Sequence, residues 1–334
     1  MKKIVLIITV LLFFILITGI ISCSRSPASA PAAAGQSTFP DRPVNIIVGS
    51  GAGGGLDLFS RTMADPVSEI LGVPIVVSNV VGGAGVTAWQ RIMQLDSDGY
   101  NLYAISVDLT INDVMRKTDF TRDDLIPVMR AQMDQSMFWV ASNSRFQTMQ
   151  EVIDFARANP GRLMFGMVGA AGIDEVVIRH WADLQGVEVT PVPLASGSES
   201  LANLVGGHVD IIHEEPGPAI GFFQSGDIRP LLVLTEQRLA AFPDVPTARE
   251  LGADITIGNW RGLFVRRDTP ADRVEILQNA FRQGMDDDRY KRMANESLLD
   301  LRPGYASSED FKVFLAEQHA IYYEILDGLG LVPR

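Results

Sequence analysis

Residues 44–61 read VNIIVGSGAGGGLDLFSR, and the order of residue types in this stretch decides the fold. Val44 to Val48 is a short apolar run of strand character. It empties into five glycines, and from Leu56 the apolar residues Leu56, Phe59, Met63, Val67 and Ile70 recur at helical spacing up to Gly72. Pro66 falls inside that pattern and is expected to kink or divide the helix. Glycines at a strand end let the backbone turn and approach a ligand closely. The helix that follows directs unpaired N–H groups and its positive dipole end at the same point, which makes the corner a cradle for an anion.

Working outward, the same unit repeats. Residues 74–79 (PIVVSN) are a second strand, 80–85 (VVGGAG) a second glycine loop, and Val86, Trp89, Ile92 and Met93 mark a second helix. Residues 101–106 (NLYAIS) form a third strand. A βαβαβ order with short loops implies right-handed crossovers and a parallel sheet with both glycine loops at its carboxyl edge. A less regular stretch follows. Residues 137–142 (MFWVAS) then lead out of this first lobe, and a helix over 151–158 stops at Asn159-Pro160-Gly161.

A second series begins at 163–168 (LMFGMV), with a loop at 169–172 and a helix over 173–185 whose Ile173, Val176, Val177, His180, Trp181 and Leu184 are expected to face the core. Residues 187–194 are the next strand, 195–198 a loop, 199–205 a helix, 209–215 (VDIIHEE) a strand ending at Pro216, and 228–235 the strand that returns to the first lobe. Two covering helices complete the pattern. One is announced by Thr269-Pro270-Ala271-Asp272 and the other by Ser307 with Asp310.

The 334 residues, 47% hydrophobic, suffice for one large or two moderate α/β domains. At the start, Lys2, Lys3, the apolar run 4–17 and Ile20-Ile21-Ser22-Cys23 have the layout of a bacterial export signal. Its end resembles a lipobox, which implies removal of residues 1–22, lipidation of Cys23 and anchoring to a membrane outside the cytoplasm. An uncleaved membrane anchor is the alternative. Residues 23–38, rich in Pro, Ala and Ser, form a flexible tether. With one cysteine there is no intrachain disulfide, so the fold rests on core burial. The net charge of −12 becomes more negative still once Lys2 and Lys3 are removed, which argues against nucleic acid; an anionic ligand is held by a local cradle and not by the global field.

Six segments, FPDRPVNIIVGSGAGGGLDLFSR, SNVVGGAGVTAWQRI, DSDGYNLYAIS, PVPLASGSESLANLVGGHVD, IRPLLVLT and AFPDVPTARELG, occur in this order from Phe39 onward. Together they resemble the Bug family, the substrate-binding proteins of tripartite tricarboxylate transporters. The resemblance implies a two-lobed periplasmic-binding-protein fold, each lobe a mostly parallel sheet flanked by helices. Residues 39–136 with 238–334 form lobe 1 and residues 137–237 lobe 2. It implies a monomer without cofactor or catalysis, which takes a small carboxylate (tricarboxylate, dicarboxylate, aromatic acid or acidic amino acid) in the cleft and hands it to a membrane permease. Carried over, the first loop supplies Ser50, Gly51, Ala52, Gly53, Gly54, Gly55 and Asp57. The second supplies Val81, Gly82, Gly83, Ala84 and Gly85, with Ser106 at the end of the third strand. Lobe 2 contributes Gly169, Ala170, Ala171, Asp174, Ser196 and Ser198, and the segment after Asp210 brings Glu214. Family members commonly read Asn-Arg-Pro-Gly-Ala-Gly-Gly in the second loop, where this chain has Asn79-Val80-Val81-Gly82-Gly83-Ala84-Gly85.

Neither loop contains lysine or arginine, so a carboxylate there is met by backbone N–H groups, hydroxyls and water. Asp57, at a helix start, reads as a cap. Glu214 and Glu215 repel a fully ionised polycarboxylate unless one faces away, is protonated, or meets an amine on the ligand. The four histidines and the lone cysteine make no metal spacing, His180 reads as a core residue, and the tryptophans read as packing, Trp260 being the one closest to a candidate platform. Gly49, Gly51 and Gly54 also satisfy the GxGxxG dinucleotide pattern, but Ser78-Asn79 stands where that fold needs an acid for the ribose. No GxSxG or HExxH occurs. A receptor that reports ligand to a membrane sensor has the same sequence signature as one that feeds a permease.

Overall fold

The structure, a computed structural model, describes residues 39–170, 172–255, 258–299 and 303–334. The expected signal 1–22, the lipidation site Cys23, the tether and Ala171 lie outside the described residues.

The glycine-punctuated units build a five-stranded sheet in the order β2-β1-β3-β10-β4. Here β1 is Val44–Val48, β2 Ile75–Asn79, β3 Asn101–Ser106, β4 Leu125–Met133 and β10 Trp260–Arg266. β1 lies parallel to β2 and β3, whereas β10 runs antiparallel to β3 and β4. Helices α1 (Gly55–Leu71), α2 (Val86–Met93) and α3 (Asp108–Val114) connect the early strands.

A second five-stranded sheet has the order β7-β6-β8-β5-β9, from β5 (Met137–Ala141), β6 (Leu163–Val168), β7 (Val189–Leu194), β8 (Ile211–Glu214) and β9 (Ile228–Val233). β6 is parallel to β7 and β8, and β5 is antiparallel to β8 and β9. Helices α4 (Met149–Ala158), α5 (Ile173–Gln185), α6 (Gly197–Val205) and α7 (Pro216–Gln224) belong to this half. The chain closes with α8 (Ala271–Gly284), α9 (Asp288–Glu296) and α10 (Ser308–Gly328).

Several expectations are corrected. α1 is one uninterrupted helix through Pro66, which is buried; α8 packs closely there, a Cβ placed on Gly284 lying 3.6 Å from the Pro66 Cβ, and this helix–helix packing offsets the missing N–H. The irregular stretch before residue 137 contains α3 and the nine-residue β4. β4 is buried along most of its length and carries Pro127, so it shows no two-residue alternation. Pro216 does not merely end a strand but starts α7 at the position where proline is tolerated. Thr269 does not cap α8, whose N-cap is Pro270, while Ser307 does cap α10 by accepting from the Asp310 N–H. Ile70, in the last turn of α1, is exposed. On α5 Leu184 is exposed and His180 is half-buried, while Gln185, bonded to the Leu251 carbonyl, is the buried residue at that helix end.

The lobe boundary at 237 also shifts. Leu239 and Phe242 pack with Trp139 in the core of the second sheet, Phe242 edge-on to Trp139 at 5.9 Å, and Ala248 N–H bonds back to Val233. Asn259, just before β10, lies beside the outward crossing, since the Asp134 N–H donates to the Asn259 carbonyl at 2.7 Å. A continuous buried cluster contains Trp89 on α2 and Tyr103 on β3 together with Phe138 on β5, Phe165 on β6 and Trp181 on α5. All four tryptophans, Trp260 included, are core residues. Among the described residues no helix is long and apolar enough to cross a membrane.

Candidate functional site

The carboxyl ends of β1, β3, β6, β7 and β8 converge where the two sheets face each other. The first glycine loop is held from beneath. Asp57, 4% exposed, accepts from the Gly53 N–H at 3.0 Å, from Arg61 Nε at 2.9 Å and from Asn79 Nδ2 at 2.9 Å. Burial raises the Asp57 pKa, but these donors outweigh it and hold the carboxyl below its ordinary value. Asn79 also donates to the Ser50 carbonyl at 3.0 Å, so the end of β2 braces the loop and offers no acid to a ribose.

Across the cleft the two halves touch. A Cβ placed on Gly51 would lie 3.1 Å from the Ser196 Cβ and 3.2 Å from the Ala195 carbonyl oxygen. Asp108 Oδ1 accepts from the Ile173 N–H at 2.7 Å, joining α3 to the start of α5. Between these contacts lies a cavity of about 80 Å³.

Of the residues expected at the site, Ser50, Gly51, Gly54, Gly55, Ser106, Asp174, Ser196 and Glu214 line this cavity. Ala52 and Gly53 are exposed at the loop tip, Gly53 against Ser198, and Asp57 lies under the loop. The second glycine loop does not line the cavity. Val81 and Gly83 are exposed, Gly82 sits over Thr87, Ala84 touches Gly172, and Gly85 is buried behind Gly49 with its carbonyl bonded to Tyr103 Oη at 2.8 Å. Gly169 bonds back to Leu194 and Ala170 is exposed; neither reaches the cavity wall.

The wall also includes Asp108, Glu215, Asn259 and Arg261, of which only Glu215 was noticed from sequence. Arg261, 2% exposed, enters from β10 and lies directly against Gly55. Its guanidinium is bonded to Asp134, to Gln132 Oε1 at 3.2 Å and to Glu215 Oε2 at 3.2 Å. No local motif announces it. Its place follows from β10 being inserted between β3 and β4.

The electrostatics are those of a crowded acidic wall. Burial raises Glu215, but Arg261, His213 and the Asn259 amide outweigh it, so Glu215 stays below its ordinary pKa. Burial, reinforced by the Glu215 charge, pushes Glu214 well above it. Burial moves Asp134 up to about 6 despite Arg261. Burial likewise moves Asp108 to about 6, with the Ile173 N–H pulling down and Asp174 pushing up. His213, fully buried, sits 2.8 Å from Asp174 Oδ1; burial disfavours its charge, yet Asp174 outweighs this and raises its pKa. Asp174 Oδ2 accepts from the Val168 N–H at 2.7 Å. Among the described residues no cluster is suited to hold a metal ion.

A polar cavity closed between the carboxyl edges of two α/β sheets, joined by crossing strands, defines a two-lobed binding protein of the periplasmic type. The chain belongs to the family described as the tripartite tricarboxylate transporter family receptor, which its residues 59–331 match; these are solute-binding receptors and not enzymes. It is similar to the UPF0065 protein in the gbd 5' region of Cupriavidus necator, at 34% identity over 307 residues, covering 91% of this chain and 92% of the relative. Among solved structures it resembles a TctC solute-binding protein from Polaromonas, at 27% identity and a TM-score of 0.64, covering 87% of this chain and 99% of the other. It also shares the fold of MatC from Rhodopseudomonas palustris with bound malate, at 22% identity and a TM-score of 0.79, covering 86% and 100%.

Proposed function

We propose that this chain captures a small carboxylate outside the cytoplasm and presents it to the membrane permease of a tripartite tricarboxylate-type transporter. In this reading residues 1–22 are an export signal, Cys23 carries the lipid anchor and residues 24–38 are the tether. One observation carries the carboxylate assignment. Ser50, whose Oγ is buried without a hydrogen-bond partner among the described residues, shares the cavity wall with Gly54, Gly55 and Leu56 at the start of α1. N–H groups in a first helical turn lack intrahelical acceptors and favour an anion. That MatC was solved with malate agrees with this chemistry.

Closure is a hinge motion at the paired crossings near Asp134–Ser136 and Asn259, with ligand shifting an open and closed equilibrium. A thermal-shift screen against di- and tricarboxylates, aromatic acids and amino acids tests the reading. A ligand at a hundred times its Kd stabilises the folded chain by about 2.7 kcal/mol, a readily measured rise in melting temperature. If no carboxylate of any of these classes raises it, the proposal fails.

A further inference from the structure

The cavity wall is crowded with acidic side chains. Asp108, Asp174, Glu214 and Glu215 line it against one guanidinium, Arg261, already engaged by Asp134, Gln132 and Glu215. Two acceptors in that wall have no hydrogen-bond partner among the described residues: Glu214 Oε2 and Asn259 Oδ1, in side chains whose residues are 5% and 6% exposed. The Asn259 amide can face only one way. Its Nδ2 donates to Glu215 Oε1 at 2.6 Å, and the reverse orientation would set a carbonyl against a carboxylate. Glu214 is tied to the same residue, its Oε1 accepting from the Glu215 N–H at 3.1 Å. Both orphan oxygens therefore belong to side chains bonded to Glu215, and both require a donor. Leaving such groups buried and unmatched is costly.

We propose that this wall receives a protonated amino group, so that the solute is a small zwitterion with its carboxylate at the first glycine loop and its ammonium donating to Glu214 Oε2 and Asn259 Oδ1. The inference rests on the carboxylate-receptor reading and names the subclass of ligand. An ammonium brings three N–H donors and one positive charge, which answers both orphans and the charge excess; a second carboxylate answers neither. The charged groups around Glu214 are Glu215 beside it, His213 on β8, Asp174 on α5, Asp108 on α3 and Arg261 on β10, while α6 brings Gly197 against it.

The test is isothermal titration of the purified full chain with matched pairs, succinate against aspartate, glutarate against glutamate, and butyrate against 2-aminobutyrate. The amino member of at least one pair is expected to bind about tenfold tighter or more, the equivalent of about 1.4 kcal/mol. Glu214→Gln should erase the preference, and Asn259→Ala, which leaves Glu214 in place, should weaken it. Equal or tighter binding of the amine-free acid in every pair, or a preference that survives Glu214→Gln, overturns the inference and leaves the receptor reading standing. Failure of both members of every pair to bind a folded chain, judged by circular dichroism, overturns the inference, and the receptor reading falls with it only if the tricarboxylates and aromatic acids of the thermal-shift screen fail as well.

Discussion

Arg261 on β10 of the first sheet and Glu215, the residue between β8 and α7, stand 3.2 Å apart, both buried, at the back of the cleft. The same guanidinium also pairs with Asp134 on the outward crossing. One cation thus fastens both halves of the molecule and the crossing segment between them. Removing one partner of a buried pair leaves uncompensated charge, at a cost of about 3–5 kcal/mol. Arg261→Met should therefore lower the unfolding free energy by about that amount in a denaturant titration. The triple variant Arg261→Met, Asp134→Asn, Glu215→Gln should recover most of it. Destabilisation by the triple variant as large as that of Arg261→Met would show that the ion pairs are not the cause.

Close approach, and not glycine as such, matters at the first loop. A Cβ on Gly51 meets Ser196 and Ala195 across the cleft, whereas one on Gly54 meets only the Gly51 carbonyl oxygen at 3.7 Å, with an extended backbone any residue adopts. Gly51→Val should lower ligand affinity by about tenfold or more with little change in the melting temperature of the unliganded chain. Gly54→Ala should bind nearly as wild type. Equal losses in the two variants would contradict this assignment.

Asp57 holds the loop from below and does not line the cavity. Hydrogen bonds to charged groups contribute roughly 1.5–3 kcal/mol, so Asp57→Ala should reduce stability by that order while affinity changes less than about tenfold. Because its folded pKa is depressed, its contribution is present above the ordinary value of 3.8 and is lost as pH falls through the folded value. The wild-type advantage over Asp57→Ala should accordingly vanish in strong acid. An advantage that persists there would sink the account.

Asp108 acts in the opposite sense. Its pKa rises from 3.8 to about 6 on folding, so its stabilising contribution is complete below 3.8 and is lost as pH rises through about 6. Asp108→Asn keeps an acceptor for the Ile173 N–H and removes the buried charge. Its melting temperature should exceed wild type at pH 7 and match it near pH 4. Parallel pH profiles for the two proteins would refute the shift.

Cys23→Ala tests the proposed anchor. Lipid labelling should disappear, and the chain should be released or left unprocessed. Unchanged labelling would exclude Cys23 as the lipidated residue.

Much of this architecture is legible in local sequence. β1, β2 and β3 each occupy a short apolar run, and the turns between strand and helix carry glycines whose spacing shows where one ends and the other starts. β4 escapes such reading because most of its residues are buried on both faces, which erases alternation, and because Pro127 argues against a strand. The site divides in the same manner. Ser50, Gly51 and Ser196 are found because they lie at strand ends within glycine-rich turns. Arg261 sits in WRGLFVR, a stretch that reads only as a strand, and Asp108 follows a strand end without any motif.

By itself the sequence determined the repeated strand–glycine–helix units, the family and the first loop as a candidate cradle, because each depends on residues adjacent in the chain. Only the tertiary structure decided that the second glycine loop stands outside the cavity and that a guanidinium and four carboxylates form its wall. β10 arrives in the first sheet more than 150 residues after its neighbour β3, and α3 meets α5 across the cleft. Contacts of that range follow from strand order and the facing of the two sheets, which no local spacing of residue types encodes.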